Sequence, residues 1–353
     1  MTNVRFFQTT PRIIIGPGSL NQITTEIKRM GSQKVLIVTD SGLVATGIVD
    51  KLEGLLADAG LSVQRFDAVE SDPRYQIAVQ AAQFAKSSNA EVIVGIGGGS
   101  ALDVAKTASI LVTNKGTVES YFGIDLVERP GLPTLLVPTT AGTGSEVTPI
   151  AILSDEAEKL KKGIVSPYLF PRCAVLDPEL TVGLPPNITA ATGMDALIHA
   201  IEAFTSKNAS SLTDMIAVEA MTLIAENIRK AFSDGENLEA RSQMLEGSML
   251  AGMAFANAGV TAVHAFAYPI GAEFHIPHGI ANSIMLIPVM EFNMMADFRK
   301  FALMAEIFGV QTDGLSDREA AYEAIEALRD LSEDLRLPGK LYEFGVKESD
   351  IPF

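Results

Sequence analysis

The side chains with the clearest potential for chemistry are an aspartate and a group of histidines in the second half of the chain. The sequence has four histidines, His199, His264, His275 and His278. Asp195 lies four residues before His199 in a segment of helical pattern, so both side chains project from one helix face and can share an ion. The surrounding residues are mostly apolar, and a buried carboxylate without a partner would cost several kcal/mol. The pair is therefore a candidate metal site.

Two further histidines extend this candidate site. His264 and His278 follow in the same helical half, within the segments VHAFAYP and IPHGI. Three neutral imidazoles and one carboxylate suit Zn²⁺ or Fe²⁺, whereas Ca²⁺ and Mg²⁺ prefer oxygen ligands. The alternative is an ordinary Asp–His pair with histidines that find hydrogen-bond partners in the core. The clustering of the histidines, with an acid at i,i+4, favours the metal.

A glycine-rich segment in the first half is a candidate anion site. The sequence GIGGGS at residues 95–100 follows an apolar strand pattern and opens a helix. Consecutive glycines let the backbone approach a ligand closely, and a helix start presents free N–H groups. The pattern departs from the standard dinucleotide fingerprint, because Ser100 replaces the third glycine and Glu119 does not end a strand. A diphosphate cradle is the favoured interpretation, and a tight turn is the alternative.

The choice of nucleotide depends on an acid at the end of another strand. Asp40 follows the apolar run Val35–Thr39, where its carboxylate would accept hydrogen bonds from a ribose 2′-hydroxyl and repel a 2′-phosphate. This favours NAD over NADP, although Asp40 could instead serve as a helix N-cap. A second small-residue loop, Pro138–Glu146, also follows a strand, and its hydroxyls and amides could bind phosphate, ribose or carboxamide. Ligands bind at the carboxyl ends of strands in open sheets, so the two loops together predict a nucleotide site.

The periodicity of the sequence changes after Pro185. Before it, apolar strands alternate with helices, which predicts a parallel sheet covered on both faces. After it, the spacing is helical. We therefore predict an α/β N-terminal domain with a parallel Rossmann-like sheet over residues 1–185 and an all-α C-terminal domain over residues 186–353.

The predicted strands are Lys34–Thr39, Ser62–Phe66, Glu91–Gly95, Thr134–Val137 and Ala174–Leu176. The predicted helices of the second domain are Ile188–Thr205, Thr213–Ala231, Ala240–Ala258, Ala281–Met295 and Ser316–Leu335. Glu156–Lys162 is predicted to be a solvated loop or short helix.

Composition excludes several classes of function. The 353 residues carry a formal net charge of −16, which disfavours binding to nucleic acid or to anionic membranes. Cys173 is the only cysteine, so no intrachain disulfide forms. The sequence has no run of about 18 apolar residues and no secretory signal pattern at its start. We therefore expect a cytoplasmic location and no membrane partner.

Taken together, these motifs resemble those of the iron-containing, group III alcohol dehydrogenases, which have the dehydroquinate synthase-like fold. The resemblance covers nearly the whole chain and includes GIGGGSALDVAK, PTTAGTGSEV, ATGMDALIHAIE and FHIPHGIAN. It implies that the metal ligands are Asp195, His199, His264 and His278. It also implies that the cofactor contacts are Asp40, Gly98, Gly99, Ser100, Thr139, Thr140, Thr143, Lys161 and Leu180.

One departure from the family concerns the proton path. Members of this family often carry another histidine four residues after the one that matches His264, and this chain has Tyr268 there. A phenol can relay a proton, but its ordinary pKa of about 10 makes it a poorer base at neutral pH. We expect Tyr268 to be the catalytic side chain, with His275 as the alternative if it faces the site. Family members also usually continue for a few helices beyond the position that matches Phe353.

The resemblance implies a metal-dependent oxidoreductase that transfers a hydride between NAD(H) and a small primary alcohol or aldehyde. Its metal would be Fe²⁺ or Zn²⁺, and its partners would be the substrate and further copies of the chain, as a homodimer or larger homo-oligomer. Three alternatives stay open. The first is a reductase of acidic aldehydes, sulfonated or carboxylated, and the second is a non-redox NAD- and metal-dependent lyase of the same fold. The third is a catalytically silent NAD-binding or assembly protein.

Overall fold

The computed structural model describes residues 4–350, which form two compact units. The first unit comprises Phe7–Val182, and the second comprises residues 4–6 and 183–350. The domain boundary after residue 185 stays a prediction, and Ile351–Phe353 lie outside the described residues.

The first unit is built on a six-stranded parallel sheet with strand order β1-β9-β6-β4-β2-β3. A separate three-stranded sheet has the order β5-β8-β7. The strands are β1 (Ile13–Ile15), β2 (Lys34–Asp40), β3 (Ser62–Val69), β4 (Val92–Gly97), β5 (Gly123–Ile124), β6 (Thr134–Pro138), β7 (Ile150–Asp155), β8 (Leu160–Val165) and β9 (Cys173–Leu176). The helices of this unit are α1 (Ile23–Arg29), α2 (Ser41–Val44), α3 (Ile48–Asp58), α4 (Tyr75–Ser87) and α5 (Gly99–Thr113).

Helices cover both faces of the six-stranded sheet. Successive strand side chains point to opposite faces, so Leu36 and Val38 pack in one cluster with residues of α4 and α5. Val35 and Ile37 pack in a second cluster with residues of α1 and α3 on the other face. The predicted parallel sheet with two covered faces is confirmed, and all five predicted strands are present.

The short three-stranded sheet corrects one prediction. Residues 156–159 form the turn between β7 and β8, but residues 160–162 pair with β7 as an antiparallel strand, where a loop or helix was expected. One lysine of this segment is paired within the hairpin, since the Lys162 ammonium lies 2.9 Å from Asp155 and 2.7 Å from Glu158, whereas Lys161 pairs with Asp72 outside it. Such pairing lets a highly charged segment form a strand that composition alone does not indicate.

The strand order fixes which loops meet at the carboxyl edge of the large sheet. β4 lies between β2 and β6, and all three run parallel. From β2 the chain moves outward to β3, and from β4 it moves the other way to β6 and β9. The connections therefore diverge between β2 and β4, which is the point where open α/β sheets bind ligands.

The described residues of the second unit form helices joined by loops, with no strand among them. Its helices are α6 (Pro186–Thr205), α7 (Ser211–Ser233), α8 (Leu238–Ala258), α9 (Ala262–Phe274), α10 (His278–Asn293), α11 (Phe298–Ile307) and α12 (Asp317–Asp334). The five predicted helices are confirmed, whereas α9 and α11 were not predicted. Pro269 lies inside α9, where its missing N–H and its ring oppose a helix, so the sequence pattern did not indicate one.

Two apolar stretches of this unit have the length and composition of a membrane span. One is His278–Ala296, and the other is the pair α8 and α9, which bends by 102°. The first stretch contains His278 and the fully buried Asn282, and α10 packs against α6 and α9. Of the apolar window His278–Ala296, 44% is buried by packing within the described residues.

Candidate metal centre and nucleotide-binding loops

Three helices bring the candidate metal ligands together. Asp195 and His199 lie on α6, and His264 lies in the first turn of α9. One ligand atom from each of the three side chains lies within 4.8 Å of the other two. The residues are 3%, 5% and 1% exposed, so water competes little for these atoms. A single ion can contact all three.

The fourth candidate, His278, is the first residue of α10 and is half-buried. Its Nε2 atom lies 3.7 Å from Asp195 Oδ1, the same distance as His264 Nε2. Ligand atoms arranged tetrahedrally around an ion with bonds of about 2.0–2.2 Å are separated by roughly 3.3–3.6 Å. His199 Nδ1 lies 4.0 Å from the other oxygen of Asp195. The ligand atoms of Asp195, His199 and His264 therefore form one group, whereas His278 lies near Asp195 but outside that group of three.

The charges at the cluster also suit a cation. Burial lowers the pKa of His264 well below its ordinary value, with His199 and His278 adding to the effect, so this imidazole is neutral. Burial acts to raise the pKa of Asp195, but its interactions with the neighbouring histidines, together with the hydrogen bond from Asn282, lower the pKa overall. A neutral imidazole and an ionised carboxylate are the forms that donate lone pairs to a metal.

Glu202, which the sequence analysis did not single out, orients His264. Its Oε1 accepts hydrogen bonds from the backbone N–H groups of Thr261 and Val263, each at 2.9 Å, and from the Thr261 hydroxyl. Its Oε2 contacts His264 Nδ1. Burial raises the pKa of Glu202, while the hydrogen bonds from Thr261 and Val263 oppose this effect. An ionised Glu202 only accepts hydrogen bonds, so a neutral His264 beside it would carry its proton on Nδ1 and keep a lone pair on Nε2.

Asn282 is a second residue that the sequence analysis missed. It is fully buried and lies one turn after His278 on α10. Its Nδ2 atom is 2.7 Å from Asp195 Oδ1, 3.1 Å from His264 Nε2 and 3.2 Å from His278 Nε2. Within the described chain its Oδ1 atom has no hydrogen-bond partner. Buried polar atoms usually have a hydrogen-bond partner. The unpaired Asn282 oxygen beside the candidate ligands therefore fits a site that holds an additional polar group or ion.

Aromatic rings flank the histidines. Phe255 stacks on His199, with ring centroids 4.3 Å apart and planes 18° apart. Tyr268 lies parallel to His278 at 5.4 Å and 8°, and its centroid is 6.0 Å from that of His264. His275 is exposed and follows the last residue of α9 in a left-handed conformation, with φ 54°. Tyr268, and not His275, is therefore the side chain packed against the candidate ligands.

In the first unit, the glycine-rich turn after β4 has the conformation that glycine permits. Gly97 has φ +146°, and a Cβ atom there would lie 2.8 Å from Ala101 Cβ. A Cβ atom on Gly99 would lie 2.6 Å from Thr143 Cγ2. α5 begins at Gly99 without a side-chain cap, and Ser100 lies in its first turn. The amides of this turn are thus placed to bind an anion.

The loops that follow β2 and β6 lie beside this turn. Asp40 Oδ1 caps α2 by accepting the Leu43 N–H at 2.9 Å, so the helix-cap interpretation holds for this oxygen. Its Oδ2 lies 3.5 Å from the position of a Cβ on Gly97. The Thr139 N–H donates to the Gly97 carbonyl at 3.0 Å. The Thr140 hydroxyl oxygen lies 3.6 Å from the point that a Cβ atom would occupy if Gly98 had one. Most of the predicted cofactor residues therefore converge on one edge of the sheet.

Two predicted cofactor residues lie in other surroundings. Lys161 is on β8, where its ammonium forms an ion pair with Asp72. Leu180 is buried in the core cluster that includes Ile96 and Val137, the residues on β4 and β6 that point to the same face. Their contacts with a cofactor stay predictions.

A nucleotide-binding α/β unit and a helical unit with a buried Asp–His cluster are the parts of a metal-dependent oxidoreductase. Residues 10–178 match the family model for iron-containing alcohol dehydrogenase, and residues 189–353 match the C-terminal model of the Fe-containing alcohol dehydrogenase family. The chain belongs to the iron-containing alcohol dehydrogenase family.

Its relatives have several named activities. Long-chain-alcohol dehydrogenase 1 of Geobacillus thermodenitrificans is 42% identical, over 95% of this chain and 85% of the relative. The NAD-dependent methanol dehydrogenase of Bacillus methanolicus is 40% identical, over 99% of this chain and 91% of the relative. The sulfoacetaldehyde reductase of Bilophila wadsworthia is 40% identical, over 98% of this chain and 89% of the relative. A solved structure of 1,3-propanediol oxidoreductase superposes with a TM-score of 0.97 at 40% identity, covering 99% of this chain and 92% of that one. The family and fold expected from the sequence are confirmed.

Proposed function

We propose that this protein is an NAD-dependent dehydrogenase that interconverts small primary alcohols and aldehydes. Its divalent ion, Fe²⁺ or Zn²⁺, is held by Asp195, His199, His264 and His278. The observation that carries the proposal is the convergence of three buried ligand atoms within 4.8 Å of one another. Relatives named for methanol and long-chain alcohols support the substrate class.

The ion would supply a Lewis acid for the substrate oxygen, and NAD(H) would carry the hydride. The chain's own residues prepare the site for both. Asp195 provides the negative charge that attracts the ion, and Glu202 keeps the His264 lone pair directed at it. The rings of Phe255 and Tyr268 cover the imidazoles with apolar surface, which excludes water and suits an aliphatic substrate.

Metal analysis joined to an NADH-linked assay tests the proposal. We expect purified protein to contain about one Fe²⁺ or Zn²⁺ per chain. Chelation should abolish alcohol oxidation, and either ion should restore it. Full activity in protein shown to be free of metal would refute the metal-dependent mechanism.

The nucleotide preference follows from Asp40. Asp40→Asn keeps the cap on α2 but removes the charge that would repel a 2′-phosphate. We expect the ratio of kcat/KM for NADP to that for NAD to rise about tenfold. Asp50→Asn, at an exposed position of the same unit, is the control and should leave the ratio unchanged. An unaltered ratio in Asp40→Asn would remove Asp40 from the ribose site.

The proton path is proposed to run through the hydroxyl of Tyr268. Tyr268→Phe keeps the ring that stacks on His278 and removes only the hydroxyl. We expect kcat to fall about tenfold. Removing a general base whose pKa matches the working pH would lower kcat by more than this. Tyr268→His should recover activity and introduce a group that titrates near pH 6.5 into the pH profile. If Tyr268→Phe retains the wild-type kcat and pH profile, the hydroxyl has no such role.

A second candidate function is the reduction of acidic aldehydes. It is favoured by the 40% identity to a relative named sulfoacetaldehyde reductase. Rates of NADH oxidation with propionaldehyde, glyoxylate and sulfoacetaldehyde, measured on one preparation, separate the two. We expect the highest kcat/KM for the neutral aldehyde, and a preference for the sulfonated one would favour the second candidate.

We also propose the site residues and the two-domain division as given above, a homodimer or larger homo-oligomer, and a cytoplasmic location. The family membership supports these proposals. Light scattering of the purified protein tests the oligomer, since a mass near 37.6 kDa would indicate a monomer.

A further inference from the structure

The first turn of α10 approaches α6 too closely to leave room for a side chain between them. Gly279 is the second residue of α10 and directly follows His278. A Cβ atom at Gly279 would overlap the carbonyl oxygen of Ala191 and would lie 2.9 Å from its carbonyl carbon. Ala191 is on α6, one turn before Asp195. The two helices therefore meet through backbone atoms beside the candidate metal ligands.

The backbone conformation does not require a glycine at this position. Gly279 lies within α10 and outside the left-handed region, so any L-residue could adopt its conformation. Alanine is also a better helix former than glycine. The atoms that a Cβ would meet belong to the backbone of Ala191, so they cannot turn aside as the end of a flexible side chain can. What glycine provides here is therefore the close approach of the two helices.

This close contact determines where the fourth candidate ligand lies. Asp195 and His199 are both on α6, whereas His278 is on α10. His278 Nε2 lies 3.7 Å from Asp195 Oδ1, and the Asn282 amide nitrogen, one turn later on α10, lies 2.7 Å from the same oxygen. A shift of α10 away from α6 would lengthen both distances. The same shift would leave Asp195 and His199 together, because they share one helix.

We propose that Gly279 is a positioning residue for the metal centre. It lets α10 approach α6, and the Asn282 amide holds α10 there, so that His278 joins the group of three ligands around one ion. This proposal rests on the proposed metal-dependent function. A ligand that is held in place before the ion arrives loses less conformational freedom on binding, which increases the affinity. A glycine that only allowed the helices to pack would affect the stability of the fold and not the contribution of His278.

The test is a double-mutant cycle with Gly279→Ala, which adds the one methyl group that the contact excludes. We expect the dissociation constant for Zn²⁺, titrated into metal-free protein against a competing chelator, to rise roughly 10- to 100-fold. In a His278→Ala background the same substitution should change this constant by less than about twofold, because the ligand that Gly279 positions is already absent. Additive effects of the two substitutions would overturn the proposal, as would wild-type Zn²⁺ affinity in Gly279→Ala.

Gly247→Ala is the matched control. Gly247 is on α8, where a Cβ atom would lie 2.7 Å from Ile224 Cγ1 on α7, so the same methyl group enters another helix contact of this unit. This variant should have a lower melting temperature and wild-type Zn²⁺ affinity. A loss of affinity equal to that of Gly279→Ala would show a general packing effect and overturn the proposal.

Asn282→Leu gives a second readout if Gly279→Ala does not fold. It removes the amide that links α10 to Asp195 and keeps a side chain of similar size. We expect it also to weaken Zn²⁺ binding, and wild-type affinity in this variant would overturn the proposal. Failure of the wild-type protein to bind any divalent ion would instead overturn the proposed metal-dependent function.

Discussion

Asp195→Ala is expected to lower kcat/KM for alcohol oxidation by about a thousandfold or more, because a Lewis acid contributes several kcal/mol to the transition state and each 1.4 kcal/mol is tenfold. Asp195 is the candidate ligand with a negative charge, and both its oxygens face histidines. Without it, the ion would be held by imidazoles alone. NAD binding should be largely unchanged, because Asp195 lies in the helical unit and the nucleotide loops lie in the other.

The measurements are the steady-state rate, the metal content and the NAD dissociation constant. Asp334→Ala is a suitable control, since Asp334 forms an exposed ion pair with Arg229 in the same helical unit. It should leave all three quantities unchanged. If Asp195→Ala retains activity and metal, Asp195 is not a ligand.

Glu202→Gln is expected to weaken metal binding by roughly 10- to 100-fold, the usual effect of removing a partner that orients a ligating histidine. A glutamine has one acceptor oxygen and one NH₂ group in place of two acceptors. If the NH₂ faces His264, the imidazole must accept at Nδ1, and its Nε2 then carries the proton and no longer binds the ion. If the oxygen faces His264, the NH₂ faces the N–H groups of Thr261 and Val263, which is also unfavourable.

Titration of the metal-free variant with Zn²⁺ against a competing chelator measures this effect directly. Glu226→Gln, at an exposed position of α7, makes the same chemical change away from the cluster and should have wild-type affinity. Wild-type affinity in Glu202→Gln would show that the Glu202–His264 contact does not control the tautomer.

The sequence contained enough information to predict the elements with regular periodicity. Strands such as Val92–Gly97 have continuous apolar runs, and helices such as α7 and α12 begin with Ser210 and Ser316 in capping boxes. It did not indicate α9, because Pro269 obscures the helical pattern. It also did not indicate the β7–β8 hairpin, because the charged residues at 156–162 meet their partners only in the folded chain, Lys162 with Asp155 across the strands and Lys161 with Asp72 in another segment. Both failures arise where a partner distant from the local pattern decides the conformation.

The same difference between local and distant contacts explains why the site could be predicted only in part. Asp195 and His199 are one turn apart on α6, so their proximity follows from helix geometry. Their proximity to His264 and His278 depends on helix packing, so the sequence supported it only through the suitability of these donors for one ion and through the family resemblance. Glu202 was detectable in principle, since it is an acid three residues after His199 on an apolar helix. The contacts of Asn282 with three candidate ligands depend on packing between helices and could not be derived from spacing alone.

The most direct measurement is anomalous diffraction from crystals of metal-loaded protein, collected on both sides of the iron and zinc absorption edges. We predict one strong peak in the helical unit, about 2.0–2.2 Å from the ligand atoms of Asp195, His199, His264 and His278. A peak at another position, or histidines that turn away from Asp195 in fully active protein, would contradict the assignment of this cluster as the metal centre.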